Sequence, residues 1–281
     1  MMNKTYQTGE TDETLRQKYN PEGSQMRELQ HRLFDMLLYL DDVCKKLSIP
    51  YYIDGGTCLG AARHGGFIPW DDDLDVVIDR KYYKKLCDYL LEHPHPKYIL
   101  HNRQTDNNYY LGWAKLRDRY SVSVYKGKDL AIGPQERAFK YTGVGIDLFV
   151  YSDHVIPWLS KVIHGIHHRI NQRYLVGKHK LLADILYWAC FKILKPIANL
   201  LGLLFSDRKT IAHDYLSNNS LHRFQKDKVY PLAPIEFEGY TFMAPHDTDY
   251  FLKTLYGNYM GLPPESARHH HDLKYTLLDK D

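Results

Sequence analysis

Four aspartates crowd the segment Trp70-Asp71-Asp72-Asp73-Leu74-Asp75. On an extended strand successive side chains alternate faces, so Asp71, Asp73 and Asp75 would point one way and Asp72 the other. Asp73 and Asp75 are the firm pair, because Leu74, Val76 and Val77 mark a strand. Asp71 joins them if the strand begins that early. Carboxylates on one face repel, and a hard divalent cation is the natural counter-charge. Mg²⁺ takes oxygen ligands, usually one or two carboxylates plus substrate phosphate oxygens. The alternative is a solvated acidic loop. The flanks Phe67-Ile68-Pro69-Trp70 and Leu74 to Ile78 argue against it, since unpaired carboxylates in an apolar sleeve are unfavourable without a cation.

Two further features could complete such a site. Gly55-Gly56-Thr57 follows the short strand Tyr51-Tyr52-Ile53 and precedes a helical turn, Thr57 to Arg63. Glycines there let backbone N–H groups approach a phosphate, which the helix start also favours, and Thr57 adds a hydroxyl. By itself Gly-Gly is usually just a turn. Asp147 lies in the apolar run Gly143 to Val150. An aspartate there must be paired, bind a metal or face water.

The elements that must position these groups are legible as periodicity. Met26, Leu29, Leu33, Met36, Leu37, Leu40, Val43 and Leu47 recur at helical steps, predicting a helix from Ser24 to Ser48. Asp73 to Ile78 reads as a strand and Lys81 to Glu92 as a helix. Tyr98–Leu100, Leu111–Leu116, Ser121–Tyr125 and Val144–Val150 carry strand-forming residues. Residues 155–205 are helical in period. The end of the chain mixes short strands, a helix and the loop Leu262-Pro263-Pro264.

Gly56-Thr57-Cys58-Leu59-Gly60-Ala61-Ala62-Arg63 followed by Gly66-Phe67-Ile68-Pro69-Trp70-Asp71-Asp72-Asp73-Leu74-Asp75 closely resembles the signature of the LicD family. These are phosphocholine transferases related to fukutin, within the nucleotidyltransferase-fold superfamily. Ile146-Asp147-Leu148-Phe149 resembles the family's later Asp-bearing strand. Tyr256-Gly257-Asn258-Tyr259-Met260, Leu262-Pro263-Pro264 and Arg268-His269 resemble its C-terminal pattern.

The resemblance implies an α+β fold: a nucleotidyltransferase-like mixed central sheet flanked by helices, with a helical insert. The expected division is a flexible tail over 1–23, a catalytic core over 24–152, a basic helical insert over 153–228 and a C-terminal part, 229–281, completing the catalytic domain. It implies transfer of a phosphorylated alcohol, typically phosphocholine from CDP-choline. The acceptor would be a sugar hydroxyl of a cell-surface glycan precursor such as teichoic acid, lipopolysaccharide or capsule, in some cases lipid-linked. Asp73 and Asp75, with Asp147 and Asp71 as further ligands, would hold Mg²⁺ or Mn²⁺. Two ions about 4 Å apart would clamp the attacking and leaving oxygens. Asp147 could instead take the acceptor's proton. Lys115 and Arg117 alternate on a strand, so they share a face. With Arg63 they could neutralise a diphosphate; the alternative is a solvated basic face. A choline cation would want an aromatic cage, and 24 tyrosines offer candidates. Two rivals stand beside this reading. One is a nucleotidyltransferase acting on a sugar phosphate or other small acceptor. The other is a non-catalytic membrane-surface binding protein.

Composition narrows the partners. The chain's net charge of +3 does not suggest a coat for nucleic acid. The stretch from Val155 to Lys209 is different, with nine Lys or Arg against two acids and many interleaved apolar residues. Such a helix either packs its apolar face on the catalytic part or lies on an anionic membrane surface. No stretch reaches about 18 uncharged apolar residues, so no good membrane span is expected. The polar start and the scattered Cys44, Cys58, Cys87 and Cys190 suggest a reduced, cytoplasmic setting, with peripheral contact on the inner face of the membrane as an option. His164 and His168 are spaced for zinc on a helix, but the usual third partner is missing. His269-His270-His271 are substrate contacts or surface.

Overall fold

The computed structural model describes residues 5–125, 139–174, 180–217, 222–268 and 273–278. The protein mixes helix and sheet around one curled mixed sheet, in agreement with the expected α+β class. Helix α1 is Asp12–Tyr19 and helix α2 is Gln25–Leu47. Ser24 caps α2 by accepting from the Arg27 N–H, and Leu29, Leu33, Met36, Leu37 and Leu40 form its buried stripe. Strand β1 (Tyr51–Ile53) leads into α3 (Gly55–His64), β2 (Leu74–Asp79) and α4 (Arg80–Glu92). Strands β3 (Tyr98–His101), β4 (Ala114–Asp118), β5 (Ser121–Tyr125) and β6 (Gly145–Ser152) follow.

The main sheet runs β1-β2-β6-β4-β3. Strand β2 is parallel to β6 and antiparallel to β1, while β4 is antiparallel to both β6 and β3. Leu74, Val76 and Ile78 are fully buried on β2, as are Ile146 and Leu148 on β6.

Two expectations are corrected here. The polar start is not a bare tail: α1 buries Leu15, and Tyr6 is buried just before it. Arg268 pairs with Glu10 and Lys18 with Glu265, so this segment is stitched to the far end of the chain. Next, the basic insert is helical only as far as Phe205. Helices α5 (Pro157–Tyr174), α6 (Lys180–Ala189) and α7 (Lys195–Phe205) precede strands β7 (Thr210–His213) and β8 (Arg223–Gln225), which extend the main sheet from the end of β6. Among the described residues, one helix is long and apolar enough to cross a membrane, by length and composition alone. It is Asp184–Phe205, which runs on through a π-helical turn at Cys190–Leu194. Pro196 does not break it, because the wider π turn just before gives the proline ring room.

Helix α8 (Lys226–Val229) is followed by the hairpin β9 (Ala233–Phe237) and β10 (Tyr240–Ala244), then α9 (Thr248–Tyr256). The hairpin turns through Glu238 and Gly239, both at positive φ. Strand β11 (Leu273–Leu277) returns to pair with β5. The four cysteines are free and buried, as scattered core cysteines should be.

Candidate active site

Sheet register builds the site. Asp75 on β2 lies directly beside Asp147 on β6, and Asp147 lies beside Lys115 on β4. The same row continues to His101 on β3. At its other end the Asp54 N–H donates to the Asp75 carbonyl at 3.0 Å, extending the β1–β2 register by one residue. Asp54, Asp75, Asp147, Lys115 and His101 therefore form one rung across five strands. Side chains level on adjacent strands stand about 5 Å apart at Cβ, so their charges interact directly.

The remaining aspartates arrive from the loop before β2. Strand β2 starts at Leu74, so Asp71 and Asp73 precede it rather than alternating along it. Asp71 still reaches the site: a Cβ placed on Gly56 would stand 2.9 Å from its Oδ2. A Cβ on Gly55 would stand 3.3 Å from Asp75 Oδ2. Gly55 and Gly56 are thus the first residues of α3, pressed beneath two carboxylates, and Gly55 has φ +49°. Asp72 is buried; burial raises the pKa of Tyr275, and the charge of Asp72 adds to that rise.

The loop is held from several sides. Gln30 on α2 donates to the Asp71 carbonyl at 3.0 Å, and the Phe67 N–H donates to Glu238 at 3.0 Å. Glu238 is itself paired with Arg27 at 2.8 Å. Thr57 uses its hydroxyl to accept from the Asp75 N–H at 2.9 Å, tying the start of α3 to β2.

The electrostatics are those of a crowded acidic site. Burial pushes the Asp75 carboxyl well above its ordinary value, and the charges of Asp73, Asp147, Asp54 and Asp71 push it further. Burial raises Asp54 to about 7. His213 stands 3.7 Å from it, but burial lowers that imidazole to about 3, so His213 is neutral and supplies no counter-charge. The Tyr256 hydroxyl lies 3.6 Å from where a Gly55 Cβ would be. Its pKa is raised by burial and then by Asp54, Asp75, Asp71 and Asp73.

The cations expected at the site have separate fates. Lys115 pairs with Asp147 at 3.0 Å, and Trp113 Nε1 donates to the same carboxylate at 2.7 Å. Arg117 shares the strand face with Lys115 but is spent elsewhere: it donates to His101 and to the Gly143 carbonyl. Arg63 donates to the carbonyls of Tyr259 and Gly261, although Asp71 still acts on its charge. It clamps the C-terminal loop to α3. The histidines 269–271 lie outside the described residues.

Sequence reasoning passed over three residues that the fold brings in: Asp54, Trp113 and Tyr256. A signal for Asp54 was available, since it sits between the end of a strand and a Gly-Gly helix start. Trp113 precedes the strand that carries Lys115 by one residue. Tyr256 opens the Tyr-Gly-Asn pattern.

Residues 48–139 match the model of the LicD/FKTN/FKRP nucleotidyltransferase domain. The lipopolysaccharide cholinephosphotransferase LicD of Haemophilus influenzae is 28% identical over 281 aligned residues, spanning 90% of this chain and 98% of that protein. The chain carries a LicD-family domain over residues 48–139. The ribitol 5-phosphate transferase FKRP of Homo sapiens matches a shorter stretch, 48% identical over 40 residues, or 14% of this chain and 8% of that protein. The matched domain includes β1, α3, β2 and β4. It therefore contains Asp54, Asp71, Asp73, Asp75 and Lys115, while Asp147 falls just beyond it.

Proposed function

We propose that the protein is a divalent-metal-dependent transferase on a nucleotidyltransferase-type fold. It moves phosphocholine, or a similar phosphorylated alcohol, from a CDP-activated donor to a sugar hydroxyl of a cell-surface glycan. The observation that carries this reading is the Asp54–Asp75–Asp147–Lys115 rung, with Asp71 and Asp73 beside it. Such a concentration of half-buried negative charge is arranged to receive cations and phosphate together.

The donor set fits Mg²⁺ or Mn²⁺, being entirely hard oxygen. Among the described residues no three such side chains stand ready-made as an ion cage. That suits an ion whose shell is completed by substrate phosphate oxygens. Asp73 and Asp75 would hold the metal, with Asp71 and Asp147 at its margin. When bound, the metal offsets the charge that builds up on the phosphate oxygens.

The chain's own groups do the rest. Gly55 and Gly56 put no side chain at the start of α3, where the helix terminus favours an anion. Lys115 has three donors, so it can hold Asp147 and a phosphate oxygen at once. Trp113 and Lys115 hold the Asp147 carboxylate, which in this reading accepts the acceptor hydroxyl's proton. The acceptor oxygen bonds to the phosphorus of phosphocholine, the bond from that phosphorus to the bridging oxygen breaks, and CMP leaves with that oxygen. Replacing Asp147 by Asn should lower kcat by on the order of a hundredfold or more and remove the acidic limb of the pH profile. A profile that keeps its acidic limb assigns the proton to another group.

A second reading, nucleotide transfer onto a small phosphorylated acceptor, is favoured by the description of the matched domain as a nucleotidyltransferase. The leaving group separates the two: CMP from CDP-choline for the first, pyrophosphate from a nucleoside triphosphate for the second.

A further inference from the structure

Of the 18 large apolar side chains exposed among the described residues, 13 lie between Trp158 and Phe205. That concentration marks one surface unit rather than the scatter normal on a soluble face. Along α6, the π turn and α7, the exposed positions Ile185, Trp188, Ile193, Ile197, Leu200 and Leu204 follow one another at steps of three to five. The step of five, Trp188 to Ile193, spans the π turn at Cys190–Leu194. A π turn takes up one extra residue, so it keeps the stripe on one side where a plain α-helix would have rotated it away. Helix α5 adds Trp158, Val162 and Ile166 at steps of four.

The opposite side of the α6–α7 helix is fastened to the body. Cys190, Ala198 and Gly202 are buried, and a side chain at Gly202 would collide with the His154 carbonyl. Lys195 pairs with Asp214 at 2.9 Å, Arg80 donates to Asn199 at 2.7 Å, and Arg103 pairs with Asp184 at 2.7 Å. Only 17% of the helix's most apolar window is buried, so it is not a core helix. Held along one side, it presents the other side lengthwise.

The charge around the stripe is positive. Lys161 and Lys192 are exposed on the unit, and Arg208 and Lys209 just beyond its end, against the exposed Asp207. A 580 Å³ cavity at the foot of α7 is lined by Leu200 and Leu203 together with Arg80, Lys81, Arg208 and Lys226, against the acids Asp79 and Asp153. Apolar residues running into a net-basic cavity, with two exposed tryptophans, match an acyl boundary, an anionic headgroup layer and the interfacial position that Trp favours. We propose that the unit 157–205 docks on an anionic lipid bilayer, lying in the plane of the headgroups rather than crossing them.

The test is flotation of the full chain with vesicles of phosphatidylglycerol in phosphatidylcholine, against phosphatidylcholine alone. Binding should be roughly tenfold or more tighter to the anionic vesicles and should weaken in high salt. The double variant Trp188→Glu/Leu204→Glu should lose at least about tenfold in binding, since both side chains leave the acyl boundary, with an unchanged melting temperature because neither is packed inside. In the unaltered chain, brominated acyl chains should quench tryptophan fluorescence, a readout that needs no variant. No flotation on anionic vesicles overturns the proposal, as does flotation that the double variant leaves intact. Resistance to alkaline carbonate extraction would mean a spanning helix. A dimer in sedimentation that the double variant abolishes, without lipid binding, would mean a second copy covers the face. Either result also overturns the proposal.

Discussion

Asp75 sits where ionisation is unfavourable. Burial and four neighbouring carboxylates all oppose its charge. Removing that charge by Asp75→Asn should lower transfer by on the order of a hundred- to a thousandfold. The same change should leave melting at about pH 8 unchanged or higher, because it relieves repulsion within the fold. A variant that unfolds instead would show that Asp75 is a structural partner. Asp54 provides the pH signature. Its carboxyl rises from 3.8 to about 7 on folding, so the fold binds its proton more tightly than the unfolded chain does. That contribution to stability is full below about 3.8 and is lost as pH rises through about 7. The melting temperature of the metal-free protein should therefore fall from about pH 5 to pH 8, and Asp54→Asn should flatten that fall. An unchanged slope would place the titration elsewhere. At this scale the place of Asp75 on β2 was legible, because strand-forming neighbours announced it, whereas Asp73, expected on the strand, lies just before it. Asp54 was easily passed over, because its one signal, a place between a strand end and a Gly-Gly helix start, fits many turns equally well. Only register shows that it stands level with Asp75.

Helix α3 converts a Gly-Gly pair into a seat beneath the carboxylates. A Cβ at Gly56 would meet the end of the Asp71 side chain, which can swing away, so the fold should survive Gly56→Ala. Donor KM should rise, by roughly tenfold, because Asp71 is displaced at the helix start proposed to face phosphate. Gly60→Ala is the contrast. Its Cβ would stand 2.5 Å from the Gly66 carbonyl and 3.1 Å from the Ile68 N–H, both backbone, so the loop itself must move. A loss of about 1–3 kcal/mol in urea denaturation is expected, with activity falling through stability. Long periodic elements were readable: α2 and α4 lie within a residue or two of expectation. Strands β7 and β8 were not, because at four and three residues they carry no alternation to detect. Helix α1 was hidden by its polarity. Its N-cap Thr11 and the buried Leu15 matter only once Arg268 and Glu265 return from the far end of the chain to meet it.

At the scale of the molecule, the chain closes on itself around the rung. β11 pairs with β5, and Arg63 holds the loop at Tyr259 and Gly261. Such closure depends on contacts between distant residues, which no local pattern reveals. A site that gathers this much negative charge should also be stabilised by its counter-ion. Excess Mg²⁺ at about pH 8 should raise the melting temperature by about 3 °C or more, and the gain should vanish in Asp75→Asn. The most direct measurement is the fate of CDP-choline incubated with a lipopolysaccharide or teichoic acid acceptor, with Mg²⁺ and then with a chelator. The account predicts CMP release matched by choline phosphate on the acceptor, abolished by the chelator and by Asp75→Asn. Equal CMP release with the chelator present, or pyrophosphate from a nucleoside triphosphate with CDP-choline left intact, would contradict it.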